Sequence, residues 1–384
     1  MDFELTLEQR DIQKAAYDFA EGEFDKEVAL DHELNKKFPF DIWKKACKLG
    51  FIGVHFPEEY GGQGLGVFEN ILIVEEFCRR DSGLGTALIL SDFSSDIIFR
   101  CGTEDQKDKY LTPLTKGEAI SAGAFTEPDH GSDITQMSTK AVLVGDEYII
   151  NGTKTFITNG EIASYVIVLC QTDQDAKPTH RGQSTIIVDD LKNRDGFEAT
   201  DIGAKMGIKM TSTAELSFND VKVPRENLVG GENRGFYQTL EFFDESRIEI
   251  AAQALGIGQG AFDRSLAYAK QREQFGRPIS SLQVVQHKLA DMAIKLETAR
   301  LLVYKAAWNF DCGKIDPKLT SMAKAYTARV AVEVCEEAVQ IHGGYGYMLD
   351  YEVERFYRDA RITEIYEGTR EVQKNTIAGL VIGK

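Results

Sequence analysis

The chain has 384 residues, enough for two or three packed domains around a large core. With 43% hydrophobic and 27% charged residues it has the make-up of a folded globular protein, which excludes a disordered chain. A net charge of −17 disfavours two polyanions, nucleic acid and anionic membrane, yet allows an anionic small ligand in a local basic pocket.

The start, Met1-Asp2-Phe3-Glu4, is acidic and lacks the basic-then-apolar layout of a signal peptide. No apolar run reaches membrane-spanning length. The expectation is a cytoplasmic protein, and a mature mitochondrial enzyme would look the same. Residues 1–117 read as a helical domain. Thr6-Leu7-Glu8-Gln9 fits a capping box, with Ile12, Ala16 and Phe19 following at helical spacing. Pro57 and Gly61, Gly62, Gly64 and Gly66 break the pattern. No strand precedes these glycines and their spacing is not a dinucleotide fingerprint, so they read as a structural loop. Helical texture resumes near Phe68.

Residues 118–230 change period. Ala141–Val144, Gly145-Asp146 and Glu147–Ile150 read as a hairpin, and Tyr165–Cys170, Ser184–Val188 and Glu215–Val223 are further strand-like runs. Residues 231–384 are helical again: Val285, Leu289, Met292, Leu296, Ala299 and Val303 form one apolar stripe, read as bundle core or oligomer contact. The six cysteines are widely spaced, with no CxxC pair, which points to reduced thiols and away from a disulfide framework or a metal site.

Four stretches carry possible chemistry. Ala124–Asp133 offers small hydroxyls and glycine that can approach a flat polar ring, or is simply a polar loop. Lys154–Gly160 sets Phe156 and Thr158 two apart. On a strand they point the same way, so one can cover a ring and the other bond its edge; a routine strand with a turn is the alternative. Gln340–Tyr347 has glycines whose amides can close on a phosphate, followed by Arg355, Arg358 and Arg361, for which structural ion pairs are the simpler role. Ile365–Thr369 places a carboxylate, Glu367, before a glycine, where it is either aimed into a cleft or solvated.

In this order and spacing, the four stretches resemble the acyl-CoA dehydrogenase family. Pro57–Gly62, Gly102–Lys107, Lys205-Met206-Gly207, Val223-Pro224 and Arg272–Gly276 extend the resemblance over nearly the whole chain. It implies an N-terminal helical domain, a middle β-barrel-like domain and a C-terminal four-helix bundle, assembled as a homotetramer. It also implies FAD as cofactor, an acyl-CoA substrate and an electron-transferring flavoprotein as partner. By the same resemblance, Thr126 and Ser132 line the flavin and the CoA entrance. Phe156, where many relatives have Trp, covers the flavin, and Thr158 bonds near its N5. Arg272, Phe275, Gln340 and Gly344 contact the FAD diphosphate and adenosine from a neighbouring subunit, and Thr369 and Gln373 are FAD contacts. Arg247 and Gly368 lie near the substrate. Glu367 matches the catalytic base; some relatives place the base at the position of Ser246, beside Glu245. Glu352 stands where proline is common, a departure with no expected effect on chemistry. The implied reaction is α,β-desaturation, with base and flavin on opposite faces of the acyl chain, and a flavin ribityl hydroxyl and the Glu367 N–H holding the thioester carbonyl.

For the substrate, the glutaryl-type arginine is missing at Gly85, which argues against a dicarboxylic acyl group. Asp92 and Asp96 either face solvent or pair with Arg79, Arg80 or Arg100, or Asp92 lies beside the acyl group. The latter is similar to relatives acting on alicyclic acyl-CoAs such as cyclohexane-carboxyl-CoA. Short-chain and alicyclic substrates both stay open. So do an enoyl-CoA reductase of an electron-bifurcating complex, a non-catalytic scaffold and a flavin oxidase.

Overall fold

The computed structural model describes residues 4–383, so the acidic opening Met1-Asp2-Phe3 lies outside the described residues. Seven helices come first: α1 (Leu7–Glu23), α2 (Lys26–Leu34), α3 (Phe40–Lys48), α4 (Val67–Arg80), α5 (Ser82–Ile89), α6 (Ser95–Cys101) and α7 (Glu104–Thr115). The capping box at Thr6 and Gln9 is formed in both directions, at 3.2 and 3.0 Å, an arrangement that contributes about 1 kcal/mol to a helix start. The helical texture after Phe68 is four helices. Asp81 breaks α4 from α5 by accepting from the Gly83 and Leu84 amides, and Ser94, at φ 72°, separates α5 from α6. The glycine loop is structural: Gly61 and Gly64 adopt positive φ, and a Cβ on Gly62 would lie 1.9 Å from the Phe56 carbonyl oxygen.

The middle of the chain forms β1 (Ser121–Ala124), β2 (Lys140–Val144), β3 (Glu147–Thr158), β4 (Tyr165–Gln171), β5 (Gln183–Asp189), β6 (Phe197–Asp201) and β7 (Thr213–Pro224). The β2–β3 hairpin turns at Gly145-Asp146 as its sequence predicts. The strands form a branched sheet in the order β1-β4-β2-β3-β7-β6, with β5 also on β4. Its core is a separate apolar cluster that includes Tyr148, Val168, Ile186 and Leu216.

The C-terminal part comprises α8 (Gly235–Gln271), a short β8 (Glu273–Gln274) and β9 (Arg277–Pro278) hairpin, α9 (Gln283–Asp311), α10 (Pro317–His342), α11 (Val353–Ala360) and α12 (Arg370–Ile382). Helices α8, α9, α10 and α12 pack as a bundle around α10. The α9 stripe is bundle core: Met292, Leu296, Ala299 and Val303 are buried, with Val285 and Leu289 partly so. Arg355 is buried against Asp81, Glu33 and Glu352, Arg358 pairs with Glu33 and Glu354, and Arg361 pairs with Glu364. Those arginines fasten α11 and the segment after it, some of them to the first helices. Glu352 has φ 61°, which proline cannot adopt, and it pairs with Arg264 at 3.1 Å. Among the described residues, no helix is long and apolar enough to cross a membrane.

Candidate active site

Glu367 sits between α11 and α12 in a turn where it and Gly368 both have positive φ, 51° and 85°. For a glutamate this is an uncommon conformation, at a cost on the order of 1–3 kcal/mol. Two buried side chains hold it. Lys324 of α10 donates to the carbonyls of Tyr366 (2.8 Å) and Gly368 (2.6 Å). Gln373 of α12 donates to those of Glu367 (2.9 Å) and Gly368 (3.1 Å). A Cβ on Gly368 would meet Gln373 Nε2 at 2.5 Å, so a side chain there would displace the Gln373 carboxamide, and the positive φ also favours glycine. Thr369 caps α12 by accepting from the Val372 amide. The Tyr366 hydroxyl bonds Gln253, which reaches Thr86 on α5 at 2.7 Å.

The Glu367 carboxylate accepts from the Ser246 hydroxyl of α8 at 2.6 Å. Burial raises its pKa above the ordinary range, opposed by that hydrogen bond and by the charges of Arg247 and Lys324. Arg247 is buried beside it, over the Phe243 ring, and its Nε has no partner among the described residues. Gln373 Oε1 is likewise buried without a partner. Two polar groups left open beside a raised carboxyl are what a ligand site needs.

Phe156 and Thr158 form a second group. The two are not on a routine strand: the pairing of β3 with β7 slips between Lys154 and Ile157, and Phe156 has φ 59°. The bulge presents the Phe156 ring outward at 67% exposure while Ile157 stays buried. Thr126 is brought alongside, its carbonyl accepting from the Thr155 amide at 2.9 Å. The loop that follows is held by Glu127, which pairs with buried Lys154 (3.0 Å) and accepts from the amides of Ser138 and Thr139. Ser132 is at the exposed tip of this loop. This wall connects to the first group through rings: Phe125 packs on Phe243, over which Arg247 lies.

Arg272, Phe275, Gln340 and Gly344 form a third group. Arg272 and Gly344 line a cavity of about 540 Å³ with Tyr268, His342 and Tyr345. Gln340 is exposed near the end of α10. Phe275-Gly276 makes the β8–β9 turn with both φ positive, leaving the Phe275 ring 90% exposed. A phenylalanine in a left-handed turn with its ring in solvent is costly twice over, which marks it as a contact surface. Arg272 follows α8 by 25 residues from Arg247, about 38 Å at 1.5 Å per residue. One protomer therefore does not bring this third group to Glu367.

Asp92 and Asp96 depart from one of the two expected arrangements, solvent exposure or pairing with an arginine. Neither takes an arginine as its main partner: Arg79 pairs with Asp263 and Glu76, Arg80 with Glu21, Arg100 with Glu245. Asp96 lies 2.6 Å from His55 Nε2, and Asp92 accepts from the Gly53 amide at 3.2 Å. Burial lifts Asp92 to about 6, partly offset by His55. Glu245 belongs to this cluster, and it is Ser246 that reaches Glu367. His55, Lys324 and the Glu127–Lys154 pair escaped the sequence reading. The one local hint was a lysine, Lys154, inside a strand-like run.

Three family models match the chain: acyl-CoA dehydrogenase N-terminal domain over residues 6–118, middle domain over 122–221 and C-terminal domain over 233–381. The chain is 44% identical to a short-chain specific acyl-CoA dehydrogenase of Clostridium acetobutylicum, covering 99% of this chain and 100% of that one. It is 42% identical to a caffeyl-CoA reductase-Etf complex subunit of Acetobacterium woodii, covering 97% and 98%. The structure of butyryl-CoA dehydrogenase from Megasphaera elsdenii superposes with a TM-score of 0.94 at 40% identity over 100% of both chains.

Proposed function

We infer the activity from one premise: this chain belongs to the acyl-CoA dehydrogenase family, and we propose that it desaturates an acyl-CoA thioester with Glu367 as the base. The observation that carries the assignment is the environment of Glu367, a carboxylate with a raised pKa, held in a left-handed turn between Ser246, Arg247 and Lys324.

FAD, when bound, accepts the β-hydride, chemistry that no side chain supplies. The residues present fit it. Phe156 offers an open aromatic face, Thr158 follows it by two residues, Thr126 is held against the same segment by the Thr155 amide, and buried Gln373 has an oxygen free. Thr369 caps α12, four residues before Gln373. Arg272 and Phe275 follow the far end of α8, and Gln340 and Gly344 lie at the far end of α10, too distant from Glu367 to serve the same cofactor. The proposal is that they reach the FAD of a second copy in a homotetramer, which also gives the exposed Phe275 ring a reason. Arg247, Ser132 and Gly368 are the proposed substrate contacts.

Glu367 takes the α-proton. Its raised pKa brings it closer to the acidity of the proton it must accept, and a positioned base contributes about 10²–10⁴-fold in rate. The Glu367 N–H has no acceptor among the described residues, so it is free to donate to the thioester oxygen as the α-carbon loses its proton.

For the acyl group, a Cβ at Gly85 would lie 2.6 Å from the Phe77 backbone. That position cannot carry a carboxylate-binding side chain without a backbone shift, which supports a monocarboxylic substrate. Asp92 supports the alicyclic reading only if it turns from Gly53 to the acyl group; butyryl-CoA is the short-chain reading. The similarity to a reductase-Etf complex subunit supports an electron-transferring flavoprotein as partner, and with it the reverse direction, enoyl-CoA reduction. The curated relatives named above are bacterial, and a cytoplasmic location is the proposed one; nothing in them favours a mitochondrial form.

The test is anaerobic flavin bleaching with straight, branched and cyclic acyl-CoAs. Bleaching by one class is expected. A strong butyryl-CoA preference would end the alicyclic reading, and a colourless protein that cannot be reconstituted with FAD would end the assignment. Turnover with NADH and the partner flavoprotein decides direction.

A further inference from the structure

The turn around Glu367 has an unusual backbone arrangement. Three successive carbonyls, those of Tyr366, Glu367 and Gly368, are all taken by two buried side chains, Lys324 and Gln373. In a trans peptide the C=O and the following N–H point in opposite directions. Fixing the Tyr366 carbonyl on Lys324 therefore fixes the Glu367 N–H facing away from α10, and fixing the Glu367 carbonyl on Gln373 fixes the Gly368 N–H facing away from the Gln373 carboxamide. Neither N–H has an acceptor among the described residues. Free backbone amides in a turn attract negative charge.

Lys324 is an odd residue to find there. It is fully buried, 0% exposed, in the first third of α10, and both its hydrogen bonds go to this one turn. Burying an amine is expensive unless it is well bonded, so its place needs a reason beyond packing. The charged groups facing it are Glu367, Arg247, Glu364 and Glu371. Those facing Glu367 are Arg247 from α8 and Lys324 from α10.

We propose that Lys324 is a positioning residue for catalysis: by binding the Tyr366 carbonyl it aims and polarises the Glu367 N–H toward the thioester oxygen. Withdrawing electron density at the carbonyl end of a peptide makes its N–H a stronger donor. Gln373 cannot substitute, because it touches only the next two carbonyls. Burial pulls Lys324 down to about 7, opposed chiefly by the Glu367 carboxylate. Two N–H bonds remain available even to the neutral amine, so the aim of the peptide survives in either form.

The inference rests on the reading of Glu367 as base and of its N–H as carbonyl donor, and the experiment separates the two. The FAD-loaded full-length protein is mixed with crotonyl-CoA labelled with ¹³C at the carbonyl, and the carbonyl stretch is read by isotope-edited infrared spectroscopy. Wild type and Glu367→Gln both keep the Lys324 clamp and should lower the stretch alike. In Lys324→Met the stretch should return about half-way to its value in buffer, and kcat should fall about 10- to 100-fold with KM little changed. Lys324→Gln, which keeps a neutral donor, should lie between and carries the test if the methionine variant fails to load FAD. A wild-type stretch and kcat in whichever of these variants folds with FAD would overturn the inference. Turnover by Glu367→Gln would instead overturn the base assignment, whatever Lys324 does.

Discussion

The Ser246 hydroxyl donates to Glu367 at 2.6 Å, and Ser246→Ala removes that bond with little else disturbed. A hydrogen bond to a charged group contributes about 1.5–3 kcal/mol, and one pKa unit is about 1.4 kcal/mol, so the carboxyl should lose its proton about one to two units higher. The sign follows from the donor: Ser246 favours the ionised carboxylate, so losing it adds to the rise that burial already causes. A base works only when ionised. The acid limb of the kcat/KM profile should therefore move up by about one to two pH units, while the alkaline plateau stays near wild type because Arg247 and Lys324 remain. The assay is dye reduction from about pH 5 to 9.5, with flavin absorbance confirming equal FAD content. A limb within about 0.3 unit of wild type, or an equal loss at every pH, would refute the reasoning.

Two further outcomes concern stability. Lys154→Met leaves Glu127 buried with only its two backbone donors; unfolding in denaturant should show a loss of about 3–5 kcal/mol, and a loss under about 1 would show that the pair is dispensable. Against the effect of burial, Asp96 raises His55 to about 10, while Asp96 itself is held low by His55. The His55 contribution is then full below the ordinary histidine value and lost as pH rises through about 10, and the Asp96 contribution is lost only in strong acid. Thermal stability of wild type should exceed that of His55→Gln near neutral pH and converge with it toward pH 10, and a gap that widens with pH would contradict this.

Much of the architecture is written in local pattern. The α9 stripe, the capping box at Thr6 and the β2–β3 hairpin each depend on residues a few positions apart, so periodicity and turn chemistry suffice. The site is different. Phe156, Phe275 and Glu367 share positive φ, a property of backbone held by tertiary contacts, which side-chain type does not announce; the residues alone left Phe156 and Glu367 with a bland alternative, and only the family resemblance pointed to Phe275. Lys324 acts across 42 residues on Tyr366, His55 across 41 on Asp96, and Lys154 across 27 on Glu127. Such pairings have no short-range signature. The Asp92–Asp96 stretch shows the cost: nearby arginines were the natural partners by sequence, and a histidine brought in from the loop before Pro57 took one of the carboxylates.

The role of the turn that carries Glu367 is tested most directly by rapid anaerobic mixing of FAD-loaded Glu367→Gln with an acyl-CoA that bleaches the wild-type flavin. The carboxamide should leave FAD bound and yellow through many wild-type turnovers. Bleaching at the wild-type rate would mean that the proton leaves to some other group.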